Sequence, residues 1–204
     1  MDDSASQPRV TLDIDNSHAL IRFNRPAERN KLSIATLDEL DAILTHCEDR
    51  VSLRALIFTG AENVFASGAD IAELRSLTSE AARRFAERGQ KLFSRIADSP
   101  ILTIAAINGF CMGGGLDLAL ACRLRFAAVH ATFAHPGATL GIITGWGGTQ
   151  RLAALTGQTR ALEMFFTARR VMSAEALAWG LVHRVCDSPL DDAVGEARRR
   201  LLQK

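Results

Sequence analysis

The sequence predicts a mixed α/β domain built on a mainly parallel sheet, and three observations carry that prediction. Short apolar runs at residues 54–59, 101–107 and 123–129 alternate with amphipathic stretches long enough to be helices. Glycine-rich turns lead from strand to helix at Gly113-Gly114-Gly115 and at residues 140–148. Of the 204 residues, 48% are hydrophobic, enough to fill a sizeable core in one large domain.

Taken in order, residues 1–9 read as a disordered N-terminal tail. Residues 10–15, VTLDID, alternate with the period of a half-buried strand. Residues 18–23 make a second strand, with Asp15, Asn16 and Ser17 as the hairpin turn. The hairpin ends at Asn24-Arg25-Pro26, and the loop continues through Asn30-Lys31-Leu32. Ser33 stands where it caps a helix that carries Ile34, Leu37, Leu40, Ile43 and Leu44 on one stripe. Gly60 closes the strand at 54–59. Residues 65–74, FASGADIAEL, pass from a strand end through small residues into a helical turn, with Asp70 placed as its cap. A long helix covers 79–98 and buries Phe85, Leu92, Phe93 and Ile96; Pro100 then restarts the chain. Asn108-Gly109 break the buried strand at 101–107. Beyond the three glycines, Leu116, Leu118, Ala119, Leu120 and Ala121 read as a core helix. Residues 123–129 form another strand and 131–133 a short edge strand. His135-Pro136-Gly137-Ala138 is a turn, and the loop LGIITGWGG at 140–148 precedes a helix at 149–155. Gly157 stops that helix, and another covers 159–168. Ser173 caps a short helix ended by Gly180, residues 181–186 form a last strand, and an amphipathic helix runs from Pro189 to Lys204. No repeat of fixed period is visible.

Composition removes several function classes. The formal net charge is +1, and the arginine clusters at 83–84, 169–170 and 198–200 lie in or beside helices as solvated faces. With no aromatic-interleaved basic stretch, a nucleic-acid partner is not expected. The four cysteines, Cys47, Cys111, Cys122 and Cys186, show no CxxC pairing and read as buried thiols, neither a disulfide framework nor a metal site. No apolar run approaches the roughly 18 residues of a membrane span. The polar start, MDDSASQP, is unlike a secretory signal, so a cytoplasmic protein is expected.

The segment IAAINGFCMGGGLDLALACR at 104–123 organises the chain. Three glycines at a helix entrance leave backbone N–H groups unshielded, and the helix dipole adds partial positive charge there. Such a turn suits an anion or a carbonyl oxygen becoming one. Tight packing alone also explains the glycines. Residues 65–74 offer a second turn of the same kind.

Four spaced segments go beyond a generic α/β pattern: Asn24-Arg25-Pro26, FASGADIAEL, AAINGFCMGGGLDLALACRLRFA, and LGIITGWGGTQRL followed by WGLVHRV. Together they resemble the crotonase, or enoyl-CoA hydratase/isomerase, superfamily over about residues 10–204. The resemblance implies a spiral of repeated β-β-α turns with two roughly perpendicular sheets. It implies a coenzyme A thioester as substrate, with coenzyme A entering only as part of it and no other cofactor. It implies a homotrimer or hexamer, a spiral core at 10–188, and at 189–204 the start of a C-terminal helical region, apparently truncated, because related proteins usually continue further. The family's oxyanion hole, carried over by motif, falls on the backbone N–H groups of Ala69 and Gly114. The substrate wall falls on Ser67, Asp70, Ile71, Gly113, Gly137, Gly145 and Trp146, and Arg25 and Arg29 lie along coenzyme A. Metal ligands are not implied.

Two positions depart from the pattern. The family's hydratases use two glutamates; the first corresponds here to Asp117, one methylene shorter, and the second to Gly137, which neither takes nor gives a proton. Asp117 is also readable as a first-turn carboxylate stabilised by the dipole. His135, two residues before the vacancy, is a candidate replacement base, or a locally packed histidine. The expected function is an acyl-CoA enzyme that stabilises a thioester enolate, of hydratase/isomerase type. The alternatives are a malonyl-type decarboxylase, which needs no carboxylate at Gly137, and a catalytically silent acyl-CoA binder.

Overall fold

The computed structural model describes residues 8–15 and 17–201. The hairpin turn at Asn16, residues 1–7 of the expected tail and residues 202–204 of the expected last helix lie outside the described residues. Arg9, assigned to the tail, is placed: its guanidinium bonds Glu39 at 3.1 Å and its carbonyl accepts from Asn24.

The chain winds through turns that share one plan. Strands β1 (Val10–Ile14) and β2 (His18–Phe23) form the hairpin and lead to β3 (Lys31–Leu32) and helix α1 (Ile34–Glu48). The next turn is β4 (Ala55–Gly60), β5 (Val64–Ala66), β6 (Gly68–Ala69), α2 (Ile71–Ser76) and α3 (Ser79–Asp98). Then come β7 (Leu102–Ile107), β8 (Phe110–Met112) and α4 (Gly114–Ala121). The fourth turn is β9 (Leu124–Ala128), β10 (Thr132–Ala134), a 3-10 turn at Pro136–Leu140, α5 (Gly148–Thr156) and α6 (Gln158–Thr167). β11 (Val171–Met172), α7 (Ser173–Ala178), β12 (Arg184–Cys186) and α8 (Pro189–Leu201) finish it.

From the second turn on, the first strand of each turn joins one sheet and the second another, while the hairpin strands β1 and β2 share a sheet. The six-stranded sheet has the order β1-β2-β4-β7-β9-β12, parallel from β2 onward. The four-stranded sheet has the order β11-β10-β8-β5, and β3 pairs with β6 in parallel. The β-β-α repeat is therefore present in space although the sequence shows no period.

The central strands β4 and β7 are buried along their whole length because both of their faces are covered. Successive side chains alternate between the faces. Ala55, Ile57, Leu102, Ile104, Ala106 and Phe126 meet Ala193 and Ala197 of α8 on one side. Leu56, Phe58, Ala105 and Ile107 face the main core, with Leu116 and Leu118 of α4 in the same cluster.

Local signals acted as expected at several helix ends. Ser33 Oγ accepts from the Thr36 amide at 3.1 Å and so caps α1. Ser33→Ala is expected to cost about 1 kcal/mol of folding free energy, as lost N-caps do, read from the midpoint of a urea titration. Two expectations need correction. The strand expected at the sheet edge over 131–133 is β10, which lies inside its sheet, paired with β8 on one side and β11 on the other. Ser173 does not cap α7: it is the first helical residue, and its hydroxyl donates to the Val129 carbonyl.

Candidate active site

A cavity of about 1000 Å³ opens where the turns after β6, β8 and β10 converge. Its walls are mainly apolar, with Ile71 and Leu74 of α2, Phe85 of α3 and Phe165 of α6 among them. Leu162 and Phe166 of α6, with Ile142 and Ile143 of the loop before α5, are cavity-lining side chains that also remain exposed to solvent.

Most of the residues picked out from sequence come together on this wall: Arg29, Ser67, Ala69, Ile71, Gly113, Gly114, His135, Gly137, Gly145 and Trp146. Three do not. Arg25 lines a separate small depression with Asn30 and Lys31, because the 3-10 turn that starts at Pro26 carries it away from the cavity. Asp70 is spent on structure: its carboxylate accepts from the Ala72 amide at 2.9 Å and pairs with Lys31 at 2.9 Å. Asp117 is wholly buried and is not on the wall.

The bends bearing Ala69 and Gly114 adjoin. A Cβ built on Gly114 would lie 3.4 Å from the Ala69 nitrogen, and one on Gly68 would lie 2.5 Å from the Gly114 nitrogen. Gly114 opens α4, so its N–H has no preceding helical turn to donate to. The indole of Trp146 fills the space beside it. A Cβ on Gly114 would meet that ring at 2.4 Å, so only glycine fits there. Phe85 and Phe93 hold the same indole edge-on, with centroids at 5.2 Å and 5.5 Å.

Gly137 is likewise required by a close approach. Its Cβ would fall 2.4 Å from the Ile142 carbonyl oxygen, and the Ile142 amide donates back to the Gly137 carbonyl. The loop is folded down on this residue, and no side chain grows from it without opening the loop.

Behind the wall, Asp117 reaches the cavity through its neighbours. Its Oδ2 accepts from the Thr144 hydroxyl, and the Trp146 amide donates to the same carboxyl group. Its Oδ1 faces His135 Nε2 at 3.5 Å, and neither atom has a hydrogen-bond partner among the described residues. Burial raises the Asp117 pKa to about 7, against the Thr144 hydroxyl, the charge of Arg151 and the Trp146 amide, which favour the carboxylate. Burial lowers the His135 pKa to about 4. Burial thus favours the neutral form of both groups, which works against an ion pair at the 3.5 Å contact. Thr144 lines the cavity and was not foreseen; its only sequence signal is a lone hydroxyl in a loop of glycine and apolar residues.

Among the described residues no group of His, Cys, Asp and Glu is placed to hold a metal ion. No helix among them is long and apolar enough to cross a membrane.

Comparison with known proteins bears on the family and the fold. The profile of the family described as "Enoyl-CoA hydratase/isomerase" matches residues 13–204. The short-chain-enoyl-CoA hydratase of Clostridium acetobutylicum is 39% identical over 179 residues, covering 87% of this chain and 69% of the relative. The crotonyl-CoA hydratase of Syntrophomonas wolfei is 40% identical over 177 residues, covering 86% and 68%. Among solved structures, an enoyl-CoA hydratase from Bacillus anthracis superposes with a TM-score of 0.89 at 36% identity, covering 94% of this chain and 76% of that one. DspI of Pseudomonas aeruginosa superposes with a TM-score of 0.92 at 34% identity, covering 97% and 82%.

Proposed function

The chain belongs to the enoyl-CoA hydratase/isomerase family, and on that premise we propose that it hydrates an enoyl-CoA thioester held in the cavity, with the Ala69 and Gly114 amides on its carbonyl oxygen. The acyl-CoA chemistry is that of the relatives, which are named as hydratases. Neither the decarboxylase nor the silent binder draws support from them.

One observation carries the reading: Ala69 and Gly114, from separate turns that adjoin, both line one apolar cavity. Attack of water on the β-carbon pushes charge onto the thioester oxygen as an enolate forms. Fixed amide dipoles stabilise that charge without reorganising, and each is worth on the order of 10²–10³ in rate. Water adds to one carbon and a proton to the next, so the site needs a group that takes and returns a proton. In this reading Asp117 is that group, and neutral His135 packs against its Oδ1. Gly137 leaves no second carboxyl, so in this reading Asp117 alone serves where the family's hydratases use two glutamates. Coenzyme A enters only with the substrate. A trimer or hexamer belongs to the same reading, supported by the exposed apolar side chains among those lining the cavity, and light scattering on the purified protein checks it.

The test is turnover of crotonyl-CoA. Formation of 3-hydroxybutyryl-CoA, slowed about 10²–10⁴-fold by Asp117→Asn, is the expected result. No hydration of any enoyl-CoA from short to medium chain length would remove the reading.

A further inference from the structure

Asp117 stands 0% exposed and off the cavity wall, so a proton moving between it and a substrate needs a carrier. Two side chains touch both the cavity and this carboxyl group. His135 Nε2 is 3.5 Å from Oδ1, beyond a normal hydrogen bond, and its ring lies against Phe165 at 4.8 Å between centroids. Thr144 is hydrogen-bonded to Oδ2 and lines the cavity. Resting on the hydratase reading above, we propose that Thr144 is the relay through which Asp117 exchanges protons with the cavity.

The step balances. A water in the cavity gives one proton to Thr144 Oγ while the Thr144 hydroxyl hydrogen passes to Asp117 Oδ2. The water oxygen bonds the β-carbon, and the double-bond electrons move toward the thioester oxygen. On return, the α-carbon takes a proton from Thr144 Oγ as Asp117 gives its proton back to Thr144. Water has been added, and both residues end as they began. A threonine hydroxyl suits this because it donates and accepts at once. It extends the reach of a carboxylate that stops short of the cavity.

The surroundings give the relay a pH signature. Around Asp117 stand Arg151 of α5 and the Trp146 amide, which favour the ionised form, with His135 after β10, and Cys111 of β8, whose thiol burial, and then Asp117, hold in its neutral form. The Thr144 hydroxyl also favours the carboxylate, so its loss moves the acidic limb of the rate profile to higher pH.

The test compares Thr144→Val, which keeps the shape, with Thr144→Ser, which keeps the hydroxyl, using crotonyl-CoA. Thr144→Val is expected to lose on the order of 10²-fold in kcat with KM little changed, within the range of general acid–base effects, and to shift the acidic limb upward. Thr144→Ser is expected to restore most of the rate and the original limb. A Thr144→Val enzyme with unchanged kcat and limb, alongside a slowed Asp117→Asn, overturns the relay and leaves the hydratase reading standing. A fully active Asp117→Asn enzyme overturns both. Loss confined to His135→Gln assigns the proton path to the histidine and also overturns the relay.

Discussion

Asp117→Asn is expected to lower kcat for crotonyl-CoA hydration by about 10²–10⁴, the usual contribution of a positioned acid–base group. The fold should survive. Asparagine keeps an oxygen for the Thr144 hydroxyl and the Trp146 amide, and its new N–H group faces the unpaired His135 Nε2. Stability should move the opposite way to activity. Asp117 ionises near pH 7 when folded, against about 3.9 in an unfolded chain, so ionisation favours unfolding. The wild-type protein therefore loses this contribution as pH rises from about 4 to 7. The variant does not titrate there, so its melting temperature should exceed the wild type's by more at pH 8 than at pH 5. Activity of the wild type should rise through about pH 7, because only the carboxylate accepts a proton. A pH-rate profile and thermal unfolding at the two pH values check both halves.

Gly114→Ala is expected to cost on the order of 10²–10³ in kcat/KM, the value of one oxyanion donor. The cause is displacement, since the amide itself remains. The new methyl would sit 2.4 Å from the Trp146 ring and 3.4 Å from the Ala69 nitrogen, so the turn must move away from both. Trp146 is braced by Phe85 and Phe93 and gives little. Adding Trp146→Val should return part of the rate by making room for the methyl. Steady-state kinetics on the single and double variants read this, with circular dichroism confirming that each is folded.

Much of the fold was legible in sequence because its longer elements carry a clear period. The helix expected at 79–98 is α3, and the strands expected near 54–59 and 101–107 are β4 and β7. β3, β6 and β11 have two residues each and β8 three, too few to show an alternating pattern. They exist because neighbours supply their ladders, as β8 does between β5 and β10. The site divides in the same way. The turns bearing Ala69 and Gly114 were readable because small residues at strand-to-helix turns leave backbone donors unshielded, whereas the choice of those two residues came from the family resemblance. Asp70 was legible as a cap and caps α2, while Arg25, laid along coenzyme A by the resemblance, stands apart because an arginine in a loop looks alike whether or not a ligand is near. Thr144 was invisible because its role depends on a carboxylate 27 residues away that the fold brings against it.

The most direct measurement is a crystal structure with an unreactive acyl-CoA bound. The thioester oxygen should lie about 3 Å from both the Ala69 and the Gly114 nitrogens, at hydrogen-bonding distance. A thioester seated in the cavity with its oxygen turned from either nitrogen, or bound at the Arg25 depression instead, would contradict it.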